Sequence, residues 1–119
     1  MNFEKVYEEY LEYATIRHKK QFIDTLTQIF KKHILPYYRN TDIYTIDADS
    51  ILNWQSTILK FNFSNNYNSN IYHTFKSFLK FCNLKYGIIN YLAIIGPFPH
   101  KSEILKYNVY SDKDYKKFR

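Results

Sequence analysis

The chain has 119 residues, a length that suits one compact domain, and 45% of its residues are hydrophobic, enough for a buried core. Its single cysteine excludes an internal disulfide, and its 2 glycines and 3 prolines provide too few turns for a many-stranded β-sandwich. The formal net charge of +6 at pH 7 favours a polyanionic partner. No signal peptide or long apolar run occurs, so we expect a cytoplasmic protein with no membrane partner.

Hydrophobic spacing predicts that the chain opens with two helices. The first covers residues 3–16 behind Asn2 as N-cap, with an apolar face for the core and a glutamate face for solvent. The second covers residues 20–34 and places apolar side chains, Phe22 among them, on its core side. Pro36 is expected to end this helix, because proline disfavours the helical conformation of the residue before it.

A third helix is predicted for residues 48–60, with Asp47 as its N-cap. Ile51, Leu52 and Ile58 belong to its apolar stripe. Trp54 flanks this stripe, and we expect it to anchor the core rather than to provide an exposed stacking platform.

The fourth predicted helix, residues 66–86, is the longest and ends at Gly87, which suits the left-handed C-cap position. Its apolar stripe includes Cys82, which we interpret as a small buried hydrophobe in a reducing compartment. The opposite face contains amide, hydroxyl, imidazole and ammonium groups but no carboxylate. Such a face can donate hydrogen bonds to phosphates and to base edges, although a plain solvent-facing surface is the alternative.

The segment after Gly87 is harder to assign from sequence. Residues 88–95 are mostly apolar and could form a short strand or an extended strap laid over the bundle. Residues 100–108 form a basic linker, and Ser111 begins a pattern typical of a helix start. We therefore expect the chain to be a piece of a longer protein that ends shortly inside the next domain.

Charge alternates along the chain. Residues 1–16 have a net charge of −3 and residues 41–63 of −2, whereas residues 17–40 have +5 and residues 64–110 have +4. If the second and fourth helices lie side by side, they form one basic surface, for which nucleic acid is the default partner.

Five stretches, in this order, resemble the N-terminal SAM-like, core-binding domain of tyrosine recombinases, the phage integrase family. They are FEKVYEEYLEY, FIDTLTQIFKKHILPYY, ILNWQSTIL, NYNSNIYHTFKSFLKFCNLKYGII and VYSDKDYKKF. The resemblance covers roughly residues 2–119. Two features depart from it: Tyr91 follows Asn90 where the family often has proline, and RHKKQ precedes the second helix where a Ser/Thr-rich cap is usual.

The resemblance implies an all-α, compact four-helix SAM-like bundle with an extended C-terminal strap and the start of a further helix. Residues 1–99 would form the core-binding domain, and residues 100–119 the linker and the truncated start of the catalytic domain. The family's catalytic arginines, lysine, histidines and tyrosine lie in that following domain, so we expect this chain to bind DNA without cutting it. It would be encoded by a bacterium or a phage.

In the family, the core-binding domain forms one half of a clamp around the attachment-site duplex, with the second and fourth helices across the major groove. The partners implied are double-stranded DNA and other recombinase protomers. The predicted phosphate contacts are Arg17, Lys19, Lys20, Gln21, Lys31 and Lys32. The candidates for base edges or groove phosphates are Asn66, Ser69, Asn70, His73 and Lys76, and Lys80 is a further DNA-binding candidate.

Other function classes find less support in the sequence. The four histidines are too scattered for a recognisable metal motif, and no phosphate loop or nucleophile arrangement occurs, so we expect no metal, no cofactor and no catalytic residues. A small helical protein–protein interaction module is the alternative, with the apolar segment 88–95 as its contact surface. A membrane-surface helix is disfavoured, because the basic helices have strong core stripes of their own.

Overall fold

The computed structural model describes residues 1–99, and this part of the chain is an all-α bundle. The helices are α1 (Phe3–Arg17), α2 (Lys20–Ile29), α3 (Leu35–Tyr38), α4 (Ala48–Leu59), α5 (Asn65–Tyr86) and α6 (Tyr91–Ile95). A π-helical turn, Phe30–Ile34, joins α2 to α3, and a 3-10 turn, Ile43–Thr45, precedes α4. The predicted fold class is confirmed.

Side-chain caps define where the helices begin, as the sequence predicts. The Asn2 carboxamide accepts a hydrogen bond from the Glu4 amide at 2.9 Å, and the Asp47 carboxylate accepts one from the Ser50 amide at the same distance. At the other end of the longest helix, Gly87 has φ of 70°, the left-handed conformation that glycine adopts without strain.

The core is built largely from aromatic rings, and α5 lies against α1, α2 and α6. Phe78 of α5 contacts Phe3 of α1, with ring centroids 4.9 Å apart, and Phe30 of the π-helical turn, at 5.4 Å. The Trp54 ring of α4 lies 4.7 Å from Phe75 of α5. Trp54 is fully buried, which confirms it as a core anchor.

The helix around Pro36 does not end where the sequence predicts. The chain remains helical through Tyr38, because the preceding turn widens from α to π geometry and the Leu35 amide donates to the Phe30 carbonyl. Pro36 then occupies the first turn of α3, where a missing N–H has little cost.

Two residues predicted to face the core are exposed. Phe22 is 45% and Leu52 is 46% exposed. In each case the adjacent isoleucine, Ile23 or Ile51, is more buried. The contacts that each helix makes with its neighbours determine which of the two residues faces the core.

The segment after Gly87 differs from the expected strap in one respect. It does lie over the bundle, since the Gln55 carboxamide donates to the Gly96 carbonyl at 3.0 Å and Phe98 covers Trp54. Within it, however, Tyr91–Ile95 forms the short helix α6, because the Asn90 side chain caps it by accepting from the Ala93 amide. The further helix predicted from Ser111 lies outside the described residues.

Trp54 supplies a test of this packing. Trp54→Phe removes the indole N–H that donates to the His33 carbonyl at 2.8 Å, and we expect it to lower the free energy of unfolding by about 1–3 kcal/mol. Trp54→Ala should cost about 3–5 kcal/mol because it also leaves a cavity. Urea unfolding followed by far-UV circular dichroism measures both. Leu52→Ala, on the exposed side of the same helix, is the control and should change stability by less than about 0.5 kcal/mol.

Candidate nucleic-acid interface

A groove of about 760 Å³ lies between the α1–α2 junction and the N-terminal half of α5. It is the larger of two adjoining grooves along this side of the molecule; the second, of about 350 Å³, continues toward the end of α5. His18, Phe22 and Ser77 line both grooves, which makes them one continuous depression. The larger groove is lined by Arg17, His18, Lys19, Gln21, Phe22, Thr25, Ile29, Asn70, His73, Thr74 and Ser77.

The walls of the groove come from helices that run in opposite directions. Near the start of α2, Phe22 lines the groove together with Ser77 of α5. Beyond the end of α2, His33 lies beside Tyr67, near the start of α5, with 2.8 Å between Nε2 and the phenol oxygen. Because α2 and α5 lie side by side, so do the two basic segments that contain them. This is the arrangement that the charge pattern requires for one basic surface.

The groove carries positive charge, and no carboxylate appears among the described residues that line it. Arg17 is held at its rim: the guanidinium lies 3.9 Å from the centre of the Tyr13 ring and donates to the Tyr13 carbonyl at 3.0 Å. The His18 ring packs on Phe22, with 4.3 Å between ring centroids. The lining thus combines cationic, amide and hydroxyl groups with an exposed aromatic ring.

The structure brings five of the residues predicted from sequence to this groove, namely Arg17, Lys19, Gln21, Asn70 and His73. The other seven lie elsewhere on the surface. Lys20 is exposed near the start of α2 without lining either groove, and Lys80 lines the smaller one. The remaining five are Lys31 and Lys32 on the π-helical turn, and Asn66, Ser69 and Lys76 on α5.

Lys76 shows that residues predicted from sequence to share one face of a helix can lie on different sides of it. Its ammonium lies 5.5 Å from the centre of the Tyr72 ring, and its backbone carbonyl accepts a hydrogen bond from Asn90, the cap of α6. Lys76 therefore lies on the α6 side of α5, whereas Asn70 and Thr74 lie on the α2 side.

Six residues that line the groove were not among the candidate contacts predicted from sequence: His18, Phe22, Thr25, Ile29, Thr74 and Ser77. A signal for them exists. Positions 22, 25 and 29 of α2, and 70, 73, 74 and 77 of α5, follow the three- and four-residue spacing of one helix face, whereas His18 precedes α2. The spacing marks each face, but only the packing of α2 on α5 shows that the two faces oppose each other.

A comparison with known protein families tests the resemblance inferred from sequence. Residues 2–59 match the model of the phage integrase N-terminal SAM-like domain. The resemblance inferred from sequence is confirmed over this range, which we call the SAM-like region. It contains α1 to α4, and therefore the α1–α2 wall of the groove; α5 and its wall follow it in the chain. No curated protein and no solved structure matched the chain.

Other kinds of site are not indicated by the described residues. Within residues 1–99, no three His, Cys, Asp or Glu side chains gather closely enough to hold a metal ion. None of the helices in that range combines the length and apolarity required to cross a bilayer. Cys82 is buried, and burial raises the pKa of its thiol to about 12, so the reactive thiolate is suppressed at neutral pH.

The surroundings of His33 favour the neutral form of its imidazole. Burial, reinforced by the positive charge of Lys32, lowers the pKa of its imidazole below the usual 6.5. Its Nδ1 is buried and has no hydrogen-bond partner among the described residues. An imidazolium would leave an N–H donor unpaired there, which also favours the neutral ring.

A lowered pKa in the folded state gives stability a definite pH dependence. The unfolded chain takes up a proton at His33 at higher pH than the folded chain, so stability should fall as pH decreases from about 6.5 toward the folded-state pKa. Urea unfolding at about pH 7.5 and about pH 5.5 measures this loss. His33→Gln should reduce the difference between the two conditions, whereas His73→Gln, on an exposed position, should retain it. An undiminished difference in His33→Gln would contradict the assignment.

Proposed function

We propose that this chain is the core-binding domain of a site-specific tyrosine recombinase and binds the core attachment-site duplex as one half of a clamp. The observation that carries the proposal is the groove between the α1–α2 junction and α5, which has cationic and amide side chains and no lining carboxylate. The match of the SAM-like region to phage integrases supports the same assignment. In this proposal residues 1–99 bind DNA, and residues 100–119 lead into a catalytic domain outside the chain.

The proposed contacts divide by chemistry. Arg17 and Lys19, which line the groove, provide positive charge for phosphates, together with the exposed Lys20 of α2 and the exposed Lys31 and Lys32 of the π-helical turn. Asn70 and His73 lie within the groove, where a carboxamide can pair with an adenine edge and an imidazole can meet a base or a phosphate. Phosphate contacts supply most of the affinity, and base contacts supply the specificity.

The domain acts by binding and has no catalytic role of its own in this proposal. The recombination chemistry belongs to the following domain of the parent protein, and other recombinase protomers are its partners on the attachment site. The chain needs no cofactor for the binding step, because ionic and hydrogen-bond contacts suffice for recognition of a duplex.

A titration with a short AT-rich duplex, followed by amide chemical shifts at two salt concentrations, tests the proposal. We expect salt-sensitive shifts in residues 17–32 and 64–80, because these segments contain the two walls of the groove. Affinity should fall with salt with a slope of about 0.9 per neutralised phosphate. Absence of binding at low salt would refute the proposal.

A second function is favoured by one specific feature, the exposed isoleucines at the end of the bundle. Ile89 is 52% and Ile94 is 71% exposed, on either side of the buried Leu92. A small protein–protein interaction module would use such a surface. In that case the shifts would centre on residues 88–98 upon addition of a protein partner, and DNA affinity would be weak and independent of sequence.

Charge reversal provides a sharper test of the DNA-binding face. Lys19→Glu and Lys20→Glu should each weaken binding to every duplex by a similar factor and reduce the salt slope by about 1, because each removes a phosphate contact. Lys5→Glu, exposed on the acidic helix α1, is the matched control and should bind as the unmodified chain does. Fluorescence anisotropy measures the affinities. Equal affinity of all three variants would disprove the assigned face.

A further inference from the structure

A cluster of aromatic rings lies at the connection between α4 and α5, beyond the C-terminal end of α2. Phe61 stacks on Phe63, with ring centroids 5.3 Å apart and an interplanar angle of 14°. Phe63 in turn meets His33 at 5.1 Å and Tyr67 at 4.8 Å, both edge to face. We call these four residues the aromatic cluster. Its members support one another, but Phe61 remains 58% exposed.

The position of Phe61 is fixed by its surroundings. The backbone amides of Lys60, Phe61 and Asn62 donate to carbonyls of the last turn of α4, at 3.1–3.3 Å. Below the Phe61–Phe63 stack, the hydrogen bond between His33 and Tyr67 joins the π-helical turn to α5. A large ring that is both exposed and held in place has already lost most of its conformational entropy, which favours its use in binding.

The charge around Phe61 indicates the chemistry of the partner. Lys60 precedes it directly, and Lys32 lies near enough to His33 to contribute, after burial, to lowering the pKa of that ring. Tyr44, an aromatic residue of similar exposure at 60%, offers a contrast. Its amide donates to the Asp42 carboxylate at 3.0 Å, and the same carboxylate pairs with the N-terminal ammonium, so the charge near Tyr44 is mixed. Of these two exposed rings, Phe61 is the one with an adjacent lysine, which suits an anionic partner.

We propose that Phe61, with Lys60 adjacent in sequence and Lys32 next to His33 of the aromatic cluster, is a stacking site for an unpaired nucleic-acid base. A free ring face accepts any base by stacking, and adjacent lysines attract the phosphates on either side. Bases within a duplex stack on one another and offer no such face, so the ligand is a single-stranded or distorted segment.

The aromatic cluster lies next to one end of the groove. Ile29, which lines the groove, is four residues before His33, and Asn70 on the opposite wall is three residues after Tyr67. A duplex bound in the groove would therefore bring its end, or a distorted segment, beside Phe61. The inference rests on the proposed function only for this placement; base stacking at Phe61 is testable without it.

The test compares three DNA probes with the full chain: a blunt AT-rich duplex, and the same duplex with a short single-stranded thymine extension at either the 5′ or the 3′ end. Fluorescence anisotropy gives the affinities. We expect the unmodified chain to bind one of the extended probes more tightly than the blunt duplex. Phe61→Ala should lose about 5- to 150-fold in affinity for that probe, the range expected for one stacked base, with little change for the blunt duplex.

Two matched variants separate stacking from other effects. Phe61→Trp should retain the preference for the extended probe, because it keeps an aromatic face. Tyr44→Ala removes an equally exposed ring outside the aromatic cluster and should bind all probes as the unmodified chain does. Far-UV circular dichroism checks that each variant is folded.

The outcomes distinguish this inference from the proposed function. Equal binding of all probes by the unmodified chain, or an undiminished preference in Phe61→Ala, overturns the stacking site and leaves duplex binding intact. Failure to bind the blunt duplex, together with a Phe61-dependent preference for the extended probe, overturns the proposed function alone. Self-association that Phe61→Ala abolishes, measured by analytical ultracentrifugation, would assign the ring to a second copy of the chain and overturn the inference.

Discussion

The placement of α4 against the π-helical turn depends on the hydrogen bond from the Trp54 indole to the His33 carbonyl. An indole N–H deep in a core requires a partner, and here the partner is a backbone carbonyl of the π-helical turn. The bond fixes α4 against the segment between α2 and α3. It thereby orients a turn on which Lys32 points to solvent while the ring of His33 packs on Phe63. Core packing and the basic surface thus depend on the same contact.

Local chemistry explains which parts of the fold could be predicted. Asn2 and Asp47 each cap a helix with their own side chain, and Gly87 ends one by a conformation that few other residues adopt. These features act within a few residues and can therefore be read from sequence. The helix through Pro36 could not, because it depends on the wider π-helical turn before it. Nor could the exposure of Leu52, which is decided by helices distant in sequence.

The same division applies to the groove. Charge alternation indicated which segments are basic, and helical spacing indicated which residues share a face, but neither shows which faces oppose each other. His73 and Asn70 line the groove with Arg17 only because α5 runs antiparallel to α2. The family match ends at residue 59, so it includes the α1–α2 wall of the groove but not α5. The groove is therefore formed partly by the matched region and partly by the helix that follows it. Lys76, on the other side of α5, shows the limit of spacing alone.

The burial of Cys82 has a practical consequence for following this protein in solution. The thiol is enclosed by the core face of α5, and a raised pKa suppresses its thiolate, so an alkylating reagent reaches it only when the bundle opens. Since it is the only cysteine in the chain, the rate of its modification reports the opening of one known helix. The rate of Cys82 alkylation can therefore be used to follow conformational opening. The measurement needs no introduced label and leaves the basic surface unaltered.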